Sequence, residues 1–118
     1  SAVIPSKGYA EIKKLAEFLE KHPELSILIE GHTSKVGSEI LNQTLSENRA
    51  KAVVFVLVND FNINKERVSS IGYGFTRPQE EGDNAVAHAA NRRILGRLSH
   101  TENVDVLKWN IYTVDKAN

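Results

Sequence analysis

The run LSILIEG, from Leu25 to Gly31, is short, mainly apolar and closes on a glycine. A run that short and that apolar is a strand buried on both sides, so other elements must cover it. The flanking sequence supplies helices. Upstream, Ile12, Leu15, Ala16, Phe18 and Leu19 recur at helical spacing behind Ser6, a suitable N-cap. Lys21-His22-Pro23 stops that helix, because a residue before proline is pushed out of the helical region. Downstream, a long helix is predicted from about Ser38 to Asp60, with Leu41, Leu45, Val53, Val54 and Leu57 as its apolar face.

The remaining chain continues the alternation. NDFNINKER reads as a polar connection carrying one buried pair, Phe61 and Ile63. Arg67 to Gly74 reads as a second strand, and FTRPQEEGDN as a loop punctuated by Pro78 and Gly82. AVAHAA is a short helical piece. Arg92 to Ser99 alternates, with Ile94 and Leu98 on one face and Arg93, Leu95 and Arg97 on the other, so Arg92 and Arg93 leave on opposite sides. Arg97 reads as part of a solvated strand face. Helix–strand–helix–strand–helix–strand predicts an α/β sandwich built on a mixed sheet with two main helices. Residues 1–100 read as one domain and 101–118 as a C-terminal extension. Within the extension, Val104 to Val114 is strand-like, places Leu107, Trp109 and Ile111 on one side, and is a candidate added edge strand. The chain begins on Ser rather than Met, so it is expected to start inside something longer, after a removed leader or as a fragment.

Composition narrows the function. The 118 residues fit one domain, and 41% hydrophobic with 25% charged residues is a globular balance. Fifteen basic residues match fifteen acidic ones, which argues against a nucleic-acid partner. Without cysteine there are no disulfides or thiolate metal sites. His22, His32, His88 and His100 lack metal-ligand spacing, so neither metal nor cofactor is expected. The longest apolar run, Ala52 to Val58, is too short to span a bilayer, and no signal peptide is visible. No nucleophile elbow, phosphate-binding glycine loop or paired general acid and base is present, so no enzyme is expected.

The stretch GHTSKVG joins the Leu25 strand to the long helix, where unpaired backbone N–H groups attract carboxylates and phosphates. Asn42, Ser46 and Arg49 follow at spacings of four and three, on one helix face. Arg offers a planar, permanently charged fork for a carboxylate, and Asn a donor and an acceptor. Together with the loop hydroxyls of Thr33 and Ser34 they make a pocket for a small zwitterion. A purely structural reading of the same residues stands beside it. Ser38 then caps the helix, Arg49 pairs with Glu47 or Glu39, and His32 satisfies a backbone group.

This stretch resembles the peptidoglycan-binding signature of the OmpA-like C-terminal domain family. Gly31, His32, Thr33, Gly37, Ser38, Asn42, Leu45, Ser46, Arg49, Ala50 and Val53 stand at the family's positions. RVSSIGYG resembles its third-strand motif, Pro78 its loop proline, and Asn91 to Ile94 its Asn-Arg-Arg motif, so the likeness covers about Ile4 to Leu98. The resemblance implies an OmpA-like βαβαβ-type mixed sheet whose first strand is missing or truncated here. It also implies noncovalent binding of the diaminopimelate of the peptidoglycan stem peptide, with no bond made or broken. Arg49 would hold the ligand carboxylate, and Asn42, Thr33, the loop backbone and an Arg of the Arg92-Arg93 pair would complete the site. Such a domain tethers the outer membrane, or an envelope complex, to the cell wall from the periplasmic face of the outer membrane of a diderm bacterium, in a parent protein associated with that membrane.

Three departures qualify the match. Ser34 stands where the family has an Asp that neutralises the ligand's ammonium, leaving Glu30 and Glu39 as the nearby acids. AHAANRR replaces the usual lead-in to the Asn-Arg-Arg motif. The family's first strand is represented at most by its tail, SAVIPS, and the Val104–Val114 strand is a candidate to complete the sheet. The alternative is an envelope protein-interaction module on the same fold, a flagellar or secretion accessory that has lost its wall ligand.

Overall fold

The structure, a computed structural model, describes residues 3–82, 84–100 and 105–114, the last segment without the side chains of 105 and 106. Helix α1 (Ser6–Lys21) leads to strand β1 (Leu25–Gly31), helix α2 (Glu39–Asn59), strand β2 (Val68–Gly72), the short helix α3 (Ala85–Asn91) and strands β3 (Arg93–His100) and β4 (Asp105–Thr113). One sheet has the order β2-β1-β3-β4. β1 is parallel to β2 and antiparallel to β3, which is antiparallel to β4. The apolar run is therefore an internal strand, as expected, but it is not fully buried on both sides: Ser26 and Leu28 are only half-buried, because the helices pack on the Leu25, Ile27 and Ile29 side. The expected C-terminal strand is present at Asp105–Thr113, on the edge of β3 away from β1; Val104 lies outside the described residues.

Both main helices cover the same face. Leu25, Ile27 and Ile29 of β1 and Ile94 and Leu98 of β3 form one core with Ile12, Leu15, Ala16 and Leu19 of α1 and Ala50, Val53, Val56 and Leu57 of α2. The buried pair of the polar connection divides, with Ile63 inside this core and Phe61 half-buried against it. Pro5, not Ser6, is the N-cap of α1; its extended backbone suits that position and Ser6 becomes the first helical residue. At the other end, Arg67 donates to the carbonyls of Leu19, His22 and Leu25 at 2.8–3.0 Å, satisfying acceptors that the end of α1 leaves open.

Helix α2 is not apolar along its whole inner face. Ser38 caps it, its Oγ accepting from the Leu41 amide at 3.1 Å, but Leu41 itself is 66% exposed. The buried stripe of the first half is Asn42, Ser46 and Arg49. Gly31 lies so close to α2 that a Cβ there would strike the Ser46 carbonyl, and no bulky side chain fits between them.

Two irregular features of the sheet matter for the site. In β4, Trp109 faces Gly96 and Asn110 faces Leu95, yet Tyr112 faces Ile94, leaving Ile111 unopposed. Such a bulge shifts the alternation by one residue, so the core side passes from the odd-numbered positions to Tyr112. Ile111 and Tyr112 are both buried. Trp109 follows the expected alternation and packs on Phe18 with ring centroids 5.3 Å apart, while Leu107, expected on the same side, stays 41% exposed.

The second feature is on the face away from the helices. Glu30 is buried there, accepting from Arg97 Nε at 2.6 Å and meeting His32 Nε2 at 2.9 Å. Tyr73 stacks on His32, and Arg77 lies 3.9 Å over the Tyr73 ring. Arg97 is thus the partner of a buried carboxylate rather than only part of a solvated face.

Candidate functional site at the end of strand β1

The chain leaves β1 as His32-Thr33-Ser34, and strand-like bonding continues into the loop. The His32 amide donates to Arg93 O at 2.9 Å and the Thr33 amide to Gly74 O at 2.7 Å. This pins the loop between the neighbouring segments, and His32, Thr33 and Ser34 are all buried. Helix α2 holds the surroundings from its side. Asn42 Nδ2 donates to Val36 O at 2.8 Å, and Ser46 Oγ accepts from the Gly74 amide at 2.9 Å. Asn42 is therefore engaged in shaping the loop.

Arg49 follows on the same helix face. It is only 5% exposed, and its Nη1 has no hydrogen-bond partner. Among the described residues no carboxylate pairs with it; neither Glu39 nor Glu47 does so. Burial lowers its pKa from the usual guanidinium value, Tyr112 nearby works in the opposite direction, and Arg92 lowers it further. Thr33 Oγ1 and the Tyr112 hydroxyl are also buried without partners.

The two consecutive arginines separate as the alternation predicts. Arg92 is buried on the Arg49 side, where its Nε donates to Val114 O at 2.8 Å. Arg93 is half-buried toward the Glu30 side, donating from Nη2 to Arg77 O at 3.1 Å. The two acids near Ser34 also divide. Glu30 is engaged with Arg97 and His32, while Glu39 stays exposed in the first turn of α2.

The sequence reading missed Tyr112. Strict alternation turns it to the opposite side from Ile111, and no glycine or proline marks the bulge that brings it inward. Chemically, a buried guanidinium within the electrostatic influence of Arg92 and Tyr112 is suited to a carboxylate. Among the described residues no group of three potential metal ligands occurs, and no helix is long and apolar enough to cross a membrane.

Comparison with known proteins identifies relatives of this chain. The chain is 44% identical over 91 residues to outer membrane porin F of Pseudomonas aeruginosa, covering 77% of this chain and 26% of the porin. It thus spans about a quarter of that relative. The crystal structure of the peptidoglycan-associated lipoprotein from Burkholderia pseudomallei superposes with a TM-score of 0.74 at 28% identity, over 80% of this chain and 79% of that one. The C-terminal domain of Helicobacter pylori MotB superposes with a TM-score of 0.78 at 25% identity, over 86% and 79%. Residues 1–92 match the OmpA family, and the chain belongs to that family.

Proposed function

We propose that this domain binds peptidoglycan noncovalently, through the diaminopimelate of the stem peptide. The observation that carries this reading is Arg49, a buried guanidinium with an unpartnered Nη1 and, among the described residues, no acid paired with it. Leaving a charge buried and unpaired costs several kcal/mol, so such a group calls for an anionic partner. In this reading Arg49 and Arg92 hold the ligand carboxylate and Thr33 adds its hydroxyl. Ser34 faces the ammonium, Asn42 keeps the loop in shape, and Arg93 borders the site from the other side of β3. Residues 1–100 form the binding domain and 101–118 the extension that supplies an edge strand. The domain anchors an outer-membrane or envelope assembly to the cell wall from the periplasmic side, without catalysis. The names of its relatives, an outer membrane porin and a peptidoglycan-associated lipoprotein, support that setting.

Sedimentation with purified peptidoglycan sacculi tests the proposal. Wild type should co-sediment and Arg49→Ala should bind at least about thirtyfold more weakly, equivalent to roughly 2 kcal/mol or more. Equal binding of the two would reject the site. Ser34 supports one alternative, since it brings no charge where a ligand ammonium would sit: an envelope interaction module, in keeping with the MotB likeness. Absence of sacculus binding by folded wild type would favour it.

A further inference from the structure

Tyr112 lies outside every motif that the family likeness covers, on the strand contributed by the C-terminal extension. Its position is nevertheless closely defined. The β4 bulge turns it to the core side opposite Ile94. Its ring lies over Gly8 of α1, where a Cβ would approach a ring carbon at 2.7 Å, so α1 offers a glycine at the point of contact. Two residues further, the Val114 amide donates to Arg92 O at 2.8 Å, fastening the end of β4 to Arg92. The tyrosine is only 6% exposed. A phenol so buried normally finds a hydrogen-bond partner, yet this hydroxyl has none.

Its surroundings identify the missing partner. Arg49 Nη1 and the Tyr112 hydroxyl are both buried without a hydrogen-bond partner, and the Arg49 charge acts against the rise that burial imposes on the phenol pKa. Tyr112 also lines a groove of about 300 Å³, shared with Lys7 of α1 and Arg93 of β3. Tyr112 therefore borders a groove flanked by cations and carries an unsatisfied O–H, as Arg49 carries an unsatisfied N–H.

We propose that Tyr112 is a ligand-contacting residue, its hydroxyl donating to the same carboxylate that Arg49 holds. This rests on the reading of the Arg49 site given above. The extension then does more than close the sheet, since it contributes a donor that residues 1–100 lack. The unpartnered state of the hydroxyl in the free protein follows directly, as the carboxylate is its acceptor. The hydroxyl has no hydrogen-bond partner among the described residues, so nothing seen in the fold requires it.

Isothermal titration of the 118-residue chain with meso-diaminopimelate and with a diaminopimelate-containing stem tripeptide tests this, comparing wild type with Tyr112→Phe. Phenylalanine keeps the ring over Gly8 and removes only the hydroxyl. The expected result is an affinity loss of about tenfold or more, the usual effect of a hydrogen bond to a charged group. The melting temperature should be unchanged or higher, since an unsatisfied buried hydroxyl is removed. Equal affinity of Tyr112→Phe and a binding-competent wild type overturns the Tyr112 proposal alone. Lower affinity with a clearly lower melting temperature also overturns it, by assigning the hydroxyl to the fold. Wild type that binds neither probe overturns the reading of the Arg49 site, and this proposal with it.

Discussion

Glu30 Oε1 and His32 Nε2 lie 2.9 Å apart, two residues from one another at the end of β1, with both side chains almost wholly buried. Burial is the main cause holding the His32 pKa below its ordinary 6.5; the hydrogen bond to Glu30 acts against it, and Arg93 and Arg97 act with it. The folded chain therefore takes up a proton here less readily than the unfolded chain does. Stability contributed by neutral His32 is present above about pH 6.5 and is lost as pH falls from there through the lower folded value. Thermal melts between pH 7.5 and 5 should show wild type losing more stability than His32→Gln. The amide of that variant keeps a donor for Glu30 but does not titrate. Parallel losses in the two proteins would assign the acid sensitivity elsewhere.

Arg49 should oppose function and stability. Methionine keeps the length and packing of the stem while removing a desolvated charge, so Arg49→Met should melt higher, by about 1 kcal/mol or more. The same variant should lose diaminopimelate binding. A destabilised Arg49→Met would show that the guanidinium supports the fold.

Ser34 supplies a hydroxyl where a ligand ammonium is expected. Ser34→Asp should bind diaminopimelate more tightly, by on the order of 1 kcal/mol, because a charged acceptor replaces a neutral one. Titration at two salt concentrations checks the cause, since the gain should shrink as salt rises. No gain would point to a loop that serves a protein partner.

Gly31 sets the spacing between sheet and helix. Gly31→Ala would drive a methyl into the backbone carbonyl of Ser46, which has no rotamer by which to move away. The cost should be about 3 kcal/mol or more in chemical denaturation, at the upper end for overpacking. A change below about 1 kcal/mol would mean that α2 shifts freely over β1.

Removing Arg67 tests a role with no local sequence signal. Arg67→Met should cost about 2 kcal/mol, because three carbonyls around the α1–β1 junction lose a charged donor. Faster amide exchange at the end of α1 would accompany the loss.

Much of the architecture was legible because local patterns agreed with the tertiary fold. The LSILIEG run marked the internal strand, His22-Pro23 marked the end of α1, and the four-then-three spacing put Asn42, Ser46 and Arg49 on one face. What escaped depended on contacts distant in sequence. Leu41 looked like a core residue by periodicity, but the close approach of β1 to α2 reserves that end of the helix for its polar stripe, and Leu41 faces outward. Arg97 looked solvated because its partner, Glu30, lies 67 residues away. Tyr112 escaped because alternation is a rule of count, and one unopposed residue breaks the count without leaving a compositional trace.

That unopposed residue makes the end of β4 sensitive to chain length as well as to chemistry. Deleting Ile111 alone would restore regular pairing of β4 with β3 from Leu98 to Arg93. The former Tyr112 would still stand opposite Ile94, joined directly to Asn110, but the extra apolar residue beside it would be gone. Inserting one residue between Tyr112 and Thr113 would instead carry the Val114–Arg92 clasp out of phase while leaving every motif of residues 1–100 intact. Relatives of this chain that differ only by a single gap in this short segment would therefore look identical in their signature residues. They would still differ around Tyr112, and a gap in the last strand is a better place to look for a change in the proposed ligand contact than another substitution in the loop.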